Sequence, residues 1–437
     1  MLRHAPWLPR DPFEQRPPLE LVRSAPRLTI ALIAPSRHPI REPFAGGLEA
    51  HVHDLAGALR ARGHTVSLFG AEGSDHADTR HVFTAGGWDP TALAATDPSM
   101  PGRDFLSDHH EHLRLMLALA GPLGRRFDVV HNHSLHHLPV AMAPSLPVPM
   151  LTTLHTPPTP WLESAVAIGG GRGTAFACVS AHTAGQWAAT LPDAPHVVPN
   201  GVDLRRWPRG PGGGDLLWSG RLVREKAPHL AIEAARRAGR HLSLAGPVSD
   251  PAYVDAVIRP HLGHGVTYLG HLDQRELAAA VGRASAVLAT PMWDEPFGLV
   301  VAEALACGTP VVTFARGGVP EVLTDASLGR LVEPGDVAGL AAAIPAAQGL
   351  DRAVVRAHAV RRLSHEAMVD RYEGIYAGLV GRESGAAPLV GTVPAGGPGG
   401  APAGPVRHLP EPVSRWATPI AVNASSQPSM GNQPQRR

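Results

Sequence analysis

The chain has 437 residues, enough for two domains with separate cores. Its 39 Lys and Arg against 38 Asp and Glu leave a formal net charge of +1, which excludes a nucleic-acid surface built on bulk charge. No apolar run approaches the roughly 18 residues of a membrane span. Cys178 and Cys307 are too few for a disulfide framework, and the first twenty residues lack a signal peptide's apolar stretch, so a reducing, cytoplasmic setting is expected.

Residues 1–26 are proline-rich and unpatterned, which predicts an extension rather than a domain. The apolar run Leu28–Ala34 suits a parallel strand buried on both faces. After a loop, Leu48, Val52, Leu55 and Leu59 share one face of a helix that Gly63 ends, and TVSLFG supplies the next strand of a βαβ unit. Gly46 and Gly47 stand just before that helix, where the lack of a Cβ lets backbone N–H groups approach a phosphate. His51 and His53 on the helix are expected to face solvent or a neighbouring loop. Residues 71–112 show no regular pattern and are expected to form a long loop shaping an acceptor side. His109, His110 and His112 fall in it; a metal site built from them is an alternative, although no carboxylate or cysteine completes a convincing ligand set.

HLRLMLALAGPLG reads as a helix and FDVVHNHS as a strand running into a loop. His131 and His133, two apart, face the same way on a strand. PMLTTLHTPP is another strand, with His155 at its carboxyl end. FACVSAHTAGQW is a strand followed by a helix that Ser180 caps. Asn200-Gly201 marks a turn, and RGPGGGD has the composition of a flexible linker. The domains are therefore placed at 27–208 and 209–382.

The second half restarts the α/β alternation with LLWSGRLVREKAPHLAIEAARRAG, a strand, loop and helix. Arg221 and Lys226 in that loop suit an anion, though Arg224 and Glu225 make a locally paired basic loop an alternative. HLSLAGP, VTYLG and SAVLATP are strands, and Asp273 is placed to cap DQRELAAAVGRA. A helical pattern over 351–380 closes the fold. Residues 383–437 are dominated by Pro, Gly, Ser and Gln, which predicts a disordered tail.

The stretch from Pro291 to Leu323 carries the densest chemistry. Glu295 and Glu303 stand eight residues apart, roughly 12 Å at a helical rise of about 1.5 Å. That is about the reach of a sugar–diphosphate–ribose. One carboxylate can accept from sugar hydroxyls and the other from ribose hydroxyls. Backbone N–H groups at the start of the intervening helix, near Phe297, Gly298 and Leu299, can meet a diphosphate. TPVVTFA then supplies a buried strand and GGVPE a turn.

EPFGLVVAE, EALACGTPVV and GGVPE resemble the family-4 retaining glycosyltransferases. PFAGGLEAHVHDLAGALRARGHTV, the His131–His133 pair, PNGVD and SGRLVREKAPHLAIEAA extend the resemblance over roughly residues 28–380. It implies an α/β protein of GT-B architecture, two Rossmann-like doubly wound domains facing a central cleft, with the last helix crossing back to the first domain. It further implies that Glu295 contacts the donor sugar and Glu303 the ribose. Arg221 and Lys226 would hold the donor diphosphate, Gly46 and Gly47 would pack near it, and His133 would lie near the sugar's reacting end.

The expected reaction moves a hexosyl group from a nucleotide sugar, UDP-linked first and GDP-mannose second, to a small-molecule, glycan or lipid acceptor. No cofactor or metal is expected. Arg114, Arg125 and Arg126 beside Leu-rich sequence hint at peripheral membrane contact. The alternatives are a nucleotide-sugar-binding regulator without turnover, or an epimerase or phosphorylase on the same architecture.

Overall fold

The computed structural model describes residues 27–385, apart from residue 76, residues 79–81, residues 85–87 and residue 100. The extension 1–26 and the tail from residue 386 lie outside the described residues.

Apolar runs flanked by short loops fold into two six-stranded, wholly parallel sheets. The first holds β1 (Thr29–Ile33), β2 (Thr65–Phe69), β3 (Val129–Asn132), β4 (Met150–Leu154), β5 (Thr174–Cys178) and β6 (His196–Val197), in the order β2-β1-β3-β4-β5-β6. The second holds β7 (Leu216–Ser219), β8 (Leu242–Ala245), β9 (Val266–Tyr268), β10 (Ala286–Ala289), β11 (Val311–Phe314) and β12 (Gly329–Val332), in the order β12-β11-β10-β7-β8-β9. Helices cover both faces, so β3, β4, β7 and β11 are buried at every position.

The first lobe carries helices α1 (Gly47–Ala61), α2 (Arg103–Ala120), α3 (His137–Met142), α4 (Pro160–Gly169) and α5 (Ala181–Trp187). The second carries α6 (Pro228–Arg237), the single turn α7 (Pro251–Tyr253), α8 (Gln274–Arg283), α9 (Leu299–Ala306), α10 (Val319–Val322), α11 (Val337–Gln348), α12 (Arg352–Arg362) and α13 (His365–Gly385). Both expected caps form. Ser180 accepts from the Thr183 N–H at 3.0 Å, and Asp273 makes a capping box with Glu276.

Residues 103–111 are helical rather than part of a long loop. The buried stripe of α2 runs Glu111, His112, Leu115, Met116, Leu119. Its first positions are polar, so apolar periodicity does not reveal where the helix starts. The segment before it is pinned by bridges Leu68 to Ala77 and Ala71 to Phe83. At the other end, α13 lays Met368, Val369, Tyr372 and Tyr376 into the first lobe's core beside Leu55 and Leu59. Arg62 clamps it through Asp370 (2.6 Å) and Glu373 (2.7 Å). Cys178 and Cys307 are fully buried, and burial pushes both thiols up to about 12.

Candidate active site

Each sheet reverses its strand order at one point, and ligands of open parallel sheets bind beyond the strand ends there. In the second lobe the reversal lies between β7 and β10, whose following loops carry Arg221 with Lys226 and Glu295. In the first it lies between β1 and β3, whose following segments carry Gly46-Gly47 and His133.

The Lys226 Nζ donates to Glu295 Oε2 at 2.5 Å, and Trp293 Nε1 donates to the same oxygen at 3.0 Å. The ammonium also stands 4.9 Å from the Trp293 ring centroid, a cation–π contact. Lys226 is the only lysine of the 437 residues. Every other basic site uses arginine or histidine, so this position calls for a compact ammonium.

The glycines of GGVPE shape the loop. At Gly317 (φ 63°) an added Cβ would lie 2.2 Å from the Glu295 carbonyl oxygen, and the Gly318 N–H donates to that oxygen at 2.7 Å. The backbone of Glu295 is thus seated on the next turn, where no side chain fits. Gly298, at φ 94°, turns the chain into α9.

Two connected cavities follow from this arrangement. One of about 310 Å³ is lined by Glu295, Phe297, Gly298, Leu299 and His155. The other, about 120 Å³, is lined by Glu303 and Gln274. Ala45, Gly46, Gly47 and Arg221 belong to both walls, so the two glutamates face opposite ends of one cleft. Both α1 and α9 start there without a side-chain cap, and their first N–H groups are oriented for an anion. Their approach is close. A Cβ on Gly47 would stand 3.3 Å from Leu299 Cδ2. Burial, with the Asp54 charge adding to it, pushes the Glu303 carboxyl up to about 8.

The structure does not bring His133 to the cavity wall. Its ring is fully buried and bonded to His155 Nε2 at 2.9 Å and His131 at 3.2 Å. His155, one residue past the end of β4, lines the larger cavity in its place. His131 in turn bonds Tyr376 (2.6 Å) and Thr153 (2.8 Å). Burial, then neighbouring imidazoles, push His133 well below its usual range, so it is neutral.

His51 departs from expectation. It is buried against His133 and His155 rather than facing solvent, with ring centroids 5.3 and 5.1 Å away. His53 does face a loop, 3.6 Å from Asp75. Lys226 lines neither cavity but bonds Glu295, which lines the larger one.

The family model described as Glycosyltransferase Family 4 matches residues 45–206, and that described as Glycosyl transferases group 1 matches residues 206–347. Glycogen synthase of Mycobacterium tuberculosis is 33% identical over 341 residues, spanning 68% of this chain and 81% of that protein. The chain belongs to the family-4 glycosyltransferases. D-inositol 3-phosphate glycosyltransferase of Thermomonospora curvata is 28% identical, over 81% of this chain and 96% of that protein. Anabaena HepE, solved with UDP-glucose, superposes with a TM-score of 0.63 at 18% identity, over 81% of this chain and 100% of that one, and shares the GT-B fold.

In this glycosyltransferase the segment from Glu295 to Glu321 also grips the first lobe. The Glu321 carboxylate accepts from the Ala181 N–H (2.8 Å) and His182 N–H (2.7 Å) at the start of α5. Thr183 Oγ1 donates to the Pro296 carbonyl at 3.2 Å. Glu321 had no role assigned from sequence, and Trp293 was missed although it stands two residues before Glu295. Among the described residues no helix is long and apolar enough to cross a membrane.

Proposed function

We propose that this glycosyltransferase moves a hexosyl group from a UDP-sugar to an acceptor hydroxyl with retention of anomeric configuration. The observation that carries the reading is the shared cavity wall. Gly46, Gly47 and Arg221 stand between the Glu295 end and the Glu303 end of one cleft. A diphosphate at that wall meets the Arg221 guanidinium and two uncapped helix N-termini. The sugar then extends toward Glu295 and His155, and the ribose toward Glu303.

Reaction breaks the bond from the anomeric carbon to the donor phosphate oxygen and forms one to the acceptor oxygen. The acceptor proton passes to the departing phosphate oxygen, so no protein base is required. Negative charge grows on the diphosphate as the bond breaks. Arg221, the helix N–H groups and Lys226, exchanging Glu295 for a phosphate oxygen, stabilise it. These cations take the electrostatic part of a donor-bound metal ion. Added Mg²⁺ is therefore expected to leave the rate unchanged.

A calorimetric screen of UDP, GDP, ADP and dTDP sugars tests the reading. Binding of a UDP-sugar, with transfer to a hydroxyl-bearing acceptor, supports it. Preference for GDP-mannose would correct the donor. Binding without transfer to any acceptor would favour a regulator instead.

A further inference from the structure

A second constellation lies in the first lobe, outside the donor cleft. α2 carries Asp108, His109 and His112 within about one turn, and α3 opens with His137 behind its N-cap His136. We propose that Asp108, His112 and His136, flanked by His109 and His137, bind one divalent transition-metal ion of the zinc class.

Three observations carry this. One donor atom from each of Asp108, His112 and His136 lies within 4.8 Å of the others, and the same holds for His109, His136 and His137. Imidazole and carboxylate donors at about 2.0–2.2 Å are the ligands zinc takes. The His112 and His136 rings lie stacked at 7°, so ion binding would turn them until their in-plane lone pairs converge. His112 and His136 are 1% and 7% exposed, yet the Nε2 of each is buried without a hydrogen-bond partner. The Nε2 atoms of His51, His182 and His365 are also buried without a partner, but those of His112 and His136 fall in one ligand-type cluster, where a single ion would satisfy both.

The tautomer of His112 is the third. Its Nδ1 donates to the Asp108 carbonyl oxygen at 2.8 Å, which leaves the Nε2 lone pair free. A carbonyl behind the ring is how zinc-binding histidines are commonly oriented. The Asp108 carboxylate stands 3.1 Å from the same His112 Nδ1 and also accepts from Ser36 Oγ, so it would leave that ion pair to join an ion at Nε2. His136 differs. Its Nδ1 accepts the Leu138 N–H at 3.1 Å and caps α3, so Nε2 carries the proton without metal. Ion binding at Nε2 moves that proton to Nδ1 and releases the cap. Asp108 also lines a cavity of about 550 Å³ with Ser36, Trp88 and Arg103, so the ion would fix one wall of it. The inference is independent of the donor assignment.

The competing account is packing. His112, His136 and His137 stack at 4.3 Å between successive centroids, and Phe83 and Trp161 close the ladder. To separate the two, the untagged full chain is stripped with chelator and dialysed, and Zn²⁺ is then titrated by calorimetry with metal content read by mass spectrometry. The expected result is one ion per chain, an increase in Tm on zinc addition, and a visible ligand-field band with Co²⁺. Affinity should fall by about 100-fold in His112→Ala and His136→Ala. It should be unchanged in His51→Gln, which alters the other histidine cluster. Should an alanine variant fail to fold, His112→Gln and His136→Gln keep the volume and carry the same expectation. No stoichiometric uptake by the wild-type chain would overturn the proposal. So would uptake that survives both the His112 and His136 changes, or that is lost in His51→Gln alone.

Discussion

At the switch point of the second lobe the polar groups are charged, paired and within reach of solvent. Lys226 holds Glu295, and Arg316 holds Asp294 at 3.0 Å, with side chains between 18% and 42% exposed. At the switch point of the first lobe the polar groups are neutral and sealed. His51, His131 and His133 are buried imidazoles, and burial holds each well below its usual range. One sheet architecture thus supports two kinds of site. Solvated ion pairs exchange partners at small cost, which suits an arriving diphosphate. Buried imidazoles bonded to one another and to Tyr376 fix a shape instead.

Breaking the charged side should give the largest effects. Lys226→Ala and Glu295→Ala are each expected to lower kcat by about 10²–10³-fold, the scale of a lost transition-state contact. Circular dichroism should be unchanged in both. Lys226→Arg is expected to restore only part of the rate, because a planar guanidinium pairing with Glu295 and stacking on Trp293 presents its charge differently from a compact ammonium. Steady-state kinetics with a UDP-sugar checks all three.

Next comes Gly317→Ala. Its Cβ meets the Glu295 carbonyl, a backbone atom, at 2.2 Å and a φ of 63°. A lower Tm together with lost transfer is expected.

Glu303→Gln comes next, because burial shifts this second-lobe carboxyl toward its neutral form, as it does the first lobe's imidazoles. Burial raises this carboxyl to about 8, so the fold favours its protonated form. Its stabilising contribution is complete below the unfolded value of about 4.3 and is lost as pH rises through about 8. The variant should therefore melt higher than the wild type at pH 9, with the gain fading toward pH 4. Nucleotide affinity should fall by about 1–3 kcal/mol in Glu303→Ala, which removes the ribose contact. Thermal melts across pH and UDP calorimetry check the two halves.

The smallest effect is expected from Glu321→Ala, which leaves the Ser180 cap but removes the acceptor for the first two N–H groups of α5 and loosens one contact between the lobes. A loss of about 1 kcal/mol of stability is expected in denaturant unfolding.

The two regions also differed in what the sequence disclosed. Arg221, Lys226, Glu295 and Glu303 lie in two short stretches whose loops follow apolar strands, so their neighbourhood is local and legible. The first lobe gathers residues from distant segments, and their contacts are set by packing. His51 did carry a signal. It sits three after Leu48 and four before Leu55, on the helix's buried stripe. Strand alternation correctly put His131 and His133 on one side, but it does not say which histidine ends beside the cavity. That depends on β4 ending one residue before His155. The helical start of α2 was hidden because Glu111 and His112 open its buried stripe, and with it the one-turn spacing of Asp108 and His112.

Lys226 and Arg221 are proposed to receive the donor diphosphate. Because Lys226 carries the chain's only side-chain amine, acetylation, which removes its charge, followed by peptide mass spectrometry reads that one site. The measurement is the acetylation rate of Lys226 with and without UDP-sugar, alongside residual transfer. The expected result is protection by the nucleotide sugar and loss of transfer in step with modification. Equal rates with and without nucleotide, or full turnover by the fully acetylated enzyme, would contradict it.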